Sequence, residues 1–163
     1  MAELTPSERL QPCLIDRLTD DHPQEEKESR QQRIVPLRRY MAGVQRDLMW
    51  LLNTGRSGLG EALEEYPEVA DSVLNYGVRD LTGMVAQGVD VTGIERELVR
   101  ALRRFEPRID PNSLRVRIAT DGEEEGAQLR FEISGELWAQ PVPEELYIQT
   151  EVDLGTGRFE VHA

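Results

Sequence analysis

The sequence predicts an α+β domain in which N-terminal helices are followed by a small antiparallel β-sheet packed against them. Three observations carry that prediction. Apolar residues recur at helical spacing as far as Phe105 and at alternate positions from Leu114 onward, so the period falls from 3.6 to 2. Helix-start and helix-stop residues bracket the first set, and glycine-rich turns separate the second. The chain has 163 residues, enough for one domain with a tail and too few for a second sizeable core.

Composition limits the function classes. Asp and Glu number 31 against 19 Lys and Arg, a formal charge of −12, which disfavours phosphate backbones and anionic bilayers as partners. With 39% hydrophobic and 31% charged residues and a mean hydropathy of −0.52, the sequence reads as soluble, and no apolar run reaches transmembrane length. The N-terminus lacks the basic start and apolar stretch of a signal peptide, and Cys13 is the single cysteine. A cytoplasmic, reducing location without an intramolecular disulfide is expected. Lys27 is the single lysine, so the basic side is almost wholly arginine, the cation suited to bidentate contacts with carboxylates at interfaces. Compositional bias is the competing explanation.

Thr5-Pro6-Ser7-Glu8 forms a capping box with proline at the first helical position, predicting a helix over about 6–18. Its stripe is Leu10, Cys13, Leu14 and Leu18, with Ile15 beside it. Residues 19–32 contain no large apolar side chain and read as a polar spacer. Two units follow: residues 1–32, an amphipathic docking helix with its linker, and residues 33–163, the α+β domain. The short helix either folds back on the core or lays its stripe into a groove of another chain, and the reach of the spacer favours the second.

The longest helix is predicted over about 34–53, with Leu37, Met41, Val44, Leu48 and Leu51 facing the core and Arg38, Arg39, Arg46 and Asp47 on the other side. Residues 54–60 are glycine-rich, but their spacing matches neither a dinucleotide fingerprint nor a P-loop. A three-turn helix is expected from Pro67, stopped by Gly77, followed by a turn over 78–83. Thr92-Gly93-Ile94-Glu95 reads as a second capping box, opening a helix to Phe105 whose core face is Ile94, Leu98, Ala101, Leu102 and Phe105. Pro107 ends it, because the residue before a proline is pushed out of helical geometry. Alternation then marks strands around Leu114–Ile118, Leu129–Ile133, Leu146–Val152 and Arg158–His162, with a turn at 121–126.

Little here supports catalysis. Nucleophile activation needs a positioned imidazole, and only His22, in the spacer, and His162, the penultimate residue, exist. Cys13 and two distant histidines have no metal-ligand spacing. Glu106, after Phe105, is the one carboxyl with a claim to general-acid chemistry as in a glycoside hydrolase. In an extended Glu106-Pro107-Arg108 segment the first and third side chains point the same way, giving either a local ion pair or a two-pronged docking site. No cofactor, metal or catalytic residue is expected.

Four motifs in order carry a family resemblance: Leu14-Ile15-Asp16-Arg17-Leu18, Asp47-Leu48-Met49-Trp50-Leu51-Leu52-Asn53-Thr54, the run YPEVADSVLNYGVRDLTG from Tyr66 to Gly83, and Glu106-Pro107-Arg108. Together they resemble the TssE family of type VI secretion baseplate subunits, related to the wedge proteins of contractile phage tails. Val78-Arg79 departs from the Leu-Pro pair expected there. The resemblance implies a non-enzymatic structural subunit of a bacterial contractile injection system, in a cytoplasmic baseplate docked at the inner membrane without direct membrane insertion. It would join TssF and TssG, and TssK through the wedge, and would seed polymerisation of the TssB/TssC sheath through an edge of the C-terminal sheet. No nucleic-acid partner is expected. Partner-binding residues carried over in this way are Leu10, Leu14, Ile15, Arg17 and Leu18 on the first helix and Glu106, Pro107 and Arg108 in the later motif. The "lysozyme-like" wording attached to the family implies no activity by itself, and a peptidoglycan-cleaving hydrolase is the alternative function.

Overall fold

Apolar side chains at alternate positions must all leave water on the same side of a strand, and that requirement shapes the C-terminal half. A computed structural model describes residues 13–19, 23–24, 37–56, 63, 65–83, 90–119, 128–138 and 143–162. The strands are β1 (Arg115–Ala119), β2 (Gln128–Leu137), β3 (Glu144–Asp153) and β4 (Arg158–His162). They form an antiparallel meander in the order β1-β2-β3-β4, with Val116 opposite Ile133, Ile133 opposite Ile148, and Val152 opposite Phe159. Val116, Phe131, Ile133, Leu146, Ile148, Val152 and Phe159 are buried on the inner face. Arg117, Arg130, Tyr147, Gln149 and Glu160 are exposed on the outer one. Thr150 interrupts the apolar set at little cost, since its hydroxyl donates to the Phe131 carbonyl at 3.3 Å.

The helices cover the inner face, so the expected α+β arrangement is what forms. Helix α1 (Leu14–Leu18), α2 (Leu37–Leu52), α3 (Pro67–Ala70) and α4 (Val91–Phe105) precede the sheet. Helix α2 packs along β4 and α4 along β1. Val44, Leu48, Leu51 and Leu52 of α2 join Ile94, Leu98 and Leu102 of α4 in one core with the sheet residues. The capping box at residues 5–8, Leu10, most of the spacer, residues 57–60 of the glycine-rich loop and the turn at 121–126 lie outside the described residues.

Three expectations require correction. The three-turn helix after Pro67 is one turn of α-helix followed by a 3₁₀ turn at Val73–Asn75. Ser72 breaks it by going extended and accepting the Leu74 N–H at 3.2 Å on its hydroxyl, an alternative to the helical bond. The capping residue of α4 is Asp90, whose carboxylate accepts the Gly93 N–H at 2.9 Å. Glu95, read as the return arm of a capping box, instead accepts the Ile118 N–H of β1 at 2.8 Å. Gly77 does more than stop a helix. It sits at φ +118°, and a Cβ there would lie 2.3 Å from the Thr54 carbonyl oxygen. That approach lets Val78 donate to Thr54 at 2.9 Å and accept from Arg56 at 2.8 Å, stitching the end of α2 to the segment before α4.

Both sheet edges carry a side-chain plug. Glu95 takes an outward N–H of β1, and Asn53, just after α2, takes both outward groups of Phe159 on β4. Asn53 accepts the Phe159 N–H and donates to its C=O, each at 3.0 Å. Unpaired edge groups invite intermolecular pairing, and these two side chains reduce that exposure.

Gly77→Ala should destabilise the protein by at least about 2 kcal/mol, because both the backbone conformation and the space exclude a side chain. Calorimetric melting checks it, and an unchanged melting temperature would refute the close-approach explanation.

Candidate functional site

A proline locks the backbone after Glu106 and ends α4, so the next residues must turn. An extended conformation is expected from the proline for this segment. It is a β-turn instead, with the Ile109 N–H donating to the Glu106 carbonyl at 3.2 Å. The segment then runs beside the end of β2: Trp138 donates to the Arg108 carbonyl at 2.7 Å and Asp110 to that of Glu136 at 2.8 Å. Gly135 makes room, since a Cβ there would meet Ile109 at 2.9 Å. Arg108 is thereby held by the sheet, not by its own loop.

Of the two arrangements left open for Glu106 and Arg108, the local ion pair forms. Arg108 Nε donates to Glu106 Oε1 at 2.6 Å, its terminal nitrogen donates to Glu106 Oε2, and its backbone N–H donates to Oε1 at 3.2 Å. Glu106 is only 3% exposed. A buried carboxylate needs such compensation, because desolvation of the charge costs several kcal/mol otherwise.

The pair does not stand alone. Arg108 also donates to Asp47 Oδ2 of α2 at 2.7 Å. Asp47 Oδ1 accepts from its neighbour Arg46 at 2.9 and 2.8 Å, and Arg46 bonds Asp16 of α1. The Cys13 thiol donates to Asp16 Oδ2 at 2.9 Å. The result is an alternating series of charges, Asp16, Arg46, Asp47, Arg108 and Glu106, that ties α1, α2 and the end of α4 to one another. Arg46 also lies 5.0 Å from the centre of the Trp50 ring, a cation–π contact.

Gly43 permits the arrangement. It is buried in α2, and an added Cβ would lie 3.1 Å from Asp16 Oδ2 and 3.9 Å from an Arg108 nitrogen. Tyr40, one turn earlier, bonds the Trp138 carbonyl at 3.3 Å. Burial raises the Tyr40 hydroxyl above its ordinary pKa, with Arg108 opposing and Glu106 assisting. Burial likewise raises Tyr76, with the charges of Asp47 and Glu106 adding to it, and its ring packs edge-on against Phe105 at 5.1 Å. Each of the four sequence motifs therefore sends a residue to this place: Asp16, Asp47, Tyr76 and the Glu106–Arg108 pair.

Burial opposes ionisation of Asp16, but hydrogen bonds from Arg46 and Cys13 and the charges of Arg46 and Arg108 outweigh it, holding the carboxyl below its ordinary value. For Arg46, the hydrogen bond to Asp16 leads the factors that raise it further, against burial. Arg108 is also raised, its burial overcome by Glu106 and Asp47. Permanently charged guanidiniums cannot shuttle protons, so the cluster suits fastening and not acid–base chemistry. Both Glu106 oxygens are engaged by Arg108, which leaves neither presented to a sugar.

The residues carried over for partner binding divide sharply. Asp16 anchors α1 by its polar side, and that turns Leu14 (68% exposed), Ile15 and Leu18 (76% exposed) outward. Arg17 is exposed as well, and Pro107 is exposed beside the buried Glu106. Leu10 lies outside the described residues. Asp16, Gly43, Arg46 and Asp47 were missed as site residues. Spacing alone puts Arg46 and Asp47 on the side of the helix away from the core, although Asp47 is the one acid in an otherwise arginine-rich stretch over 33–60.

Residues 38–142 match the family described as baseplate wedge protein gp25. No curated protein matches the chain. A chain of the solved structure "The baseplate complex from the type VI secretion system" is 19% identical over 69% of this chain and 93% of that one, with a TM-score of 0.43, too loose a likeness to place any residue.

Two outcomes follow from the charge series. Because the folded pKa of Asp16 is depressed, its contribution is complete above the ordinary value of about 4 and is lost as pH falls through the lower folded value. The protection factors of the amides in residues 14–18, taken relative to the intrinsic exchange rate at each pH, should therefore fall below about pH 4, with pH-independent protection telling against the Asp16 anchor. Arg108→Met strands Glu106 as a buried charge and should cost about 3 to 5 kcal/mol, whereas Glu106→Gln leaves Arg108 on Asp47 and should cost about 1 to 3 kcal/mol. Urea unfolding measures both, and the reverse order would contradict the pairing.

Proposed function

Since this chain belongs to the baseplate wedge protein gp25 family, we propose that it is the TssE-type subunit of a type VI secretion baseplate, a structural part that works by being held and by holding. The observation that carries this reading is α1. A five-residue helix with no buried side chain has no packing reason to be apolar, yet Leu14, Ile15 and Leu18 are presented to solvent while Asp16 fastens the helix to the body. An anchored helix with an outward apolar stripe is a prepared docking element, since fixing it beforehand removes part of the ordering cost of binding.

On this reading TssF, with TssG, covers the α1 stripe, TssK joins through the wedge, and the assembly sits on the cytoplasmic side of the inner membrane. Among the described residues no helix is long and apolar enough to cross a membrane. Glu106, Pro107 and Arg108 contribute twice: Glu106 and Arg108 fix α1 through Asp47 and Arg46, while Pro107 and the accessible part of Arg108 face a wedge neighbour. The type VI assignment in particular rests on the four sequence motifs.

Sheath initiation would use an open edge of the meander. On β4 the outward groups of Phe159 are taken by Asn53, and by the alternation of antiparallel strands the next outward pair belongs to Val161. A TssB or TssC strand adding there would pair with Val161 and compete with Asn53. The hydrolase alternative finds no support in the Glu106 geometry, so the reading is of a non-enzymatic subunit.

Leu14→Asp combined with Leu18→Asp tests the docking role without touching the charge series. The isolated protein should melt as before, while co-purification with TssF and TssG should fall at least tenfold. Undiminished complex would defeat the α1 assignment.

A further inference from the structure

Helix α4 gives Ile94, Leu98 and Leu102 to the core, and the opposite side carries Arg96, Arg100, Arg103 and Arg104, all exposed. Their spacing aligns them in a stripe about 12 Å long. Arg104 Nε bonds the backbone carbonyl of Asp71, at the end of α3, which brings the α3 region alongside. Between the two lies an open groove of about 560 Å³, with Asp71, Val99 and the four arginines among its walls.

The positive charge of this groove is largely unspent. Arg96 Nε donates to the Thr92 carbonyl at 3.2 Å, so Arg96 and Arg104 meet neutral oxygens. Among the described residues, Arg100 and Arg103 make no ion pair or hydrogen bond. With Asp71 and Glu95 counted, the groove walls carry a net +2 on a chain whose total is −12. Favourable interaction with the helix dipole accounts for Arg103 and Arg104 in the last turn. It does not account for Arg96, which lies nearer the positive end, or for Arg100, which lies before the last turn.

We infer that this groove docks an acidic amphipathic helix of a partner protein. Carboxylates one turn apart on such a helix repeat at about 6 Å, as Arg96, Arg100 and Arg104 do, and an apolar side chain between them would reach Val99. Arginine suits the role because its planar fork can hold a carboxylate with two hydrogen bonds. Nucleic acid fits less well, because twelve net negative charges would oppose its approach over every other face. This contact is separate from the α1 stripe and stands or falls independently of the type VI reading.

The test is fluorescence anisotropy of the full chain with a labelled Glu-Leu-Ala-Glu repeat peptide of about 20 residues, long enough to be helical. Duplex DNA and phosphatidylserine vesicles serve as competing probes. Binding of the peptide in preference to both, weakened at least tenfold in Arg100→Glu/Arg103→Glu and in the charge-neutral Arg100→Gln/Arg103→Gln, supports the inference. The second pair guards against misfolding caused by charge reversal, and an unchanged melting curve identifies a folded variant. Failure to bind the peptide, equal binding by both folded variants, or tighter binding to DNA or vesicles would overturn it.

Discussion

The structure depends on an alternating series of five charges, Asp16, Arg46, Asp47, Arg108 and Glu106, running from α1 across α2 to the end of α4. Buried and half-buried ion pairs are poor sources of net stability, since the desolvation of each charge offsets most of its attraction. Their strength lies in intolerance of alternatives. A well-packed apolar contact can slide by an ångström, whereas a guanidinium held by two carboxylates has few other acceptable positions. In this fold the series decides where a short helix with no core of its own comes to rest.

That placement explains how the body of the domain controls its surface. The sheet holds the turn after α4 through backbone bonds, the turn aims Arg108, Arg108 meets Asp47 on α2, and Arg46 beside it captures Asp16. Every step is between rigid elements, so the orientation of α1 is inherited from the sheet. The exposed Leu14, Ile15 and Leu18 are thereby oriented before any partner arrives. Gly43 belongs to the same logic, because the helix backbone has to be bare where Asp16 and Arg108 come closest.

The sheet itself shows a related economy. An open meander leaves two edges, and each has a plug supplied by a helix or its end: Glu95 on β1 and Asn53 on β4. Asp47 opens the second sequence motif and Asn53 lies near its end, so the last turns of α2 and the residue after them serve both the charge series and the sheet edge. A family pattern concentrated in such residues reads as a set of fastening points, in keeping with a subunit whose work is assembly.

Much of the fold was legible because periodicity reports directly on burial. The stripes of α2 and α4 and the four alternating segments had to form one apolar layer against another, whatever their exact boundaries. The apolar stripe of α1 was legible as a stripe, but spacing left open whether it would fold back on the core or face outward. The break at Ser72, the transfer of Glu95 from a cap to a strand edge, and the union of Asp16, Arg46, Asp47 and Arg108 were not. Each depends on hydrogen bonds whose partners are brought together by chain folding, and a charged side chain leaves the same mark in a sequence whether water or a distant guanidinium receives it. Sequence by itself determined which surfaces must leave water; the tertiary structure alone decided which charges would meet, because that is a matter of distance in space and not of spacing along the chain.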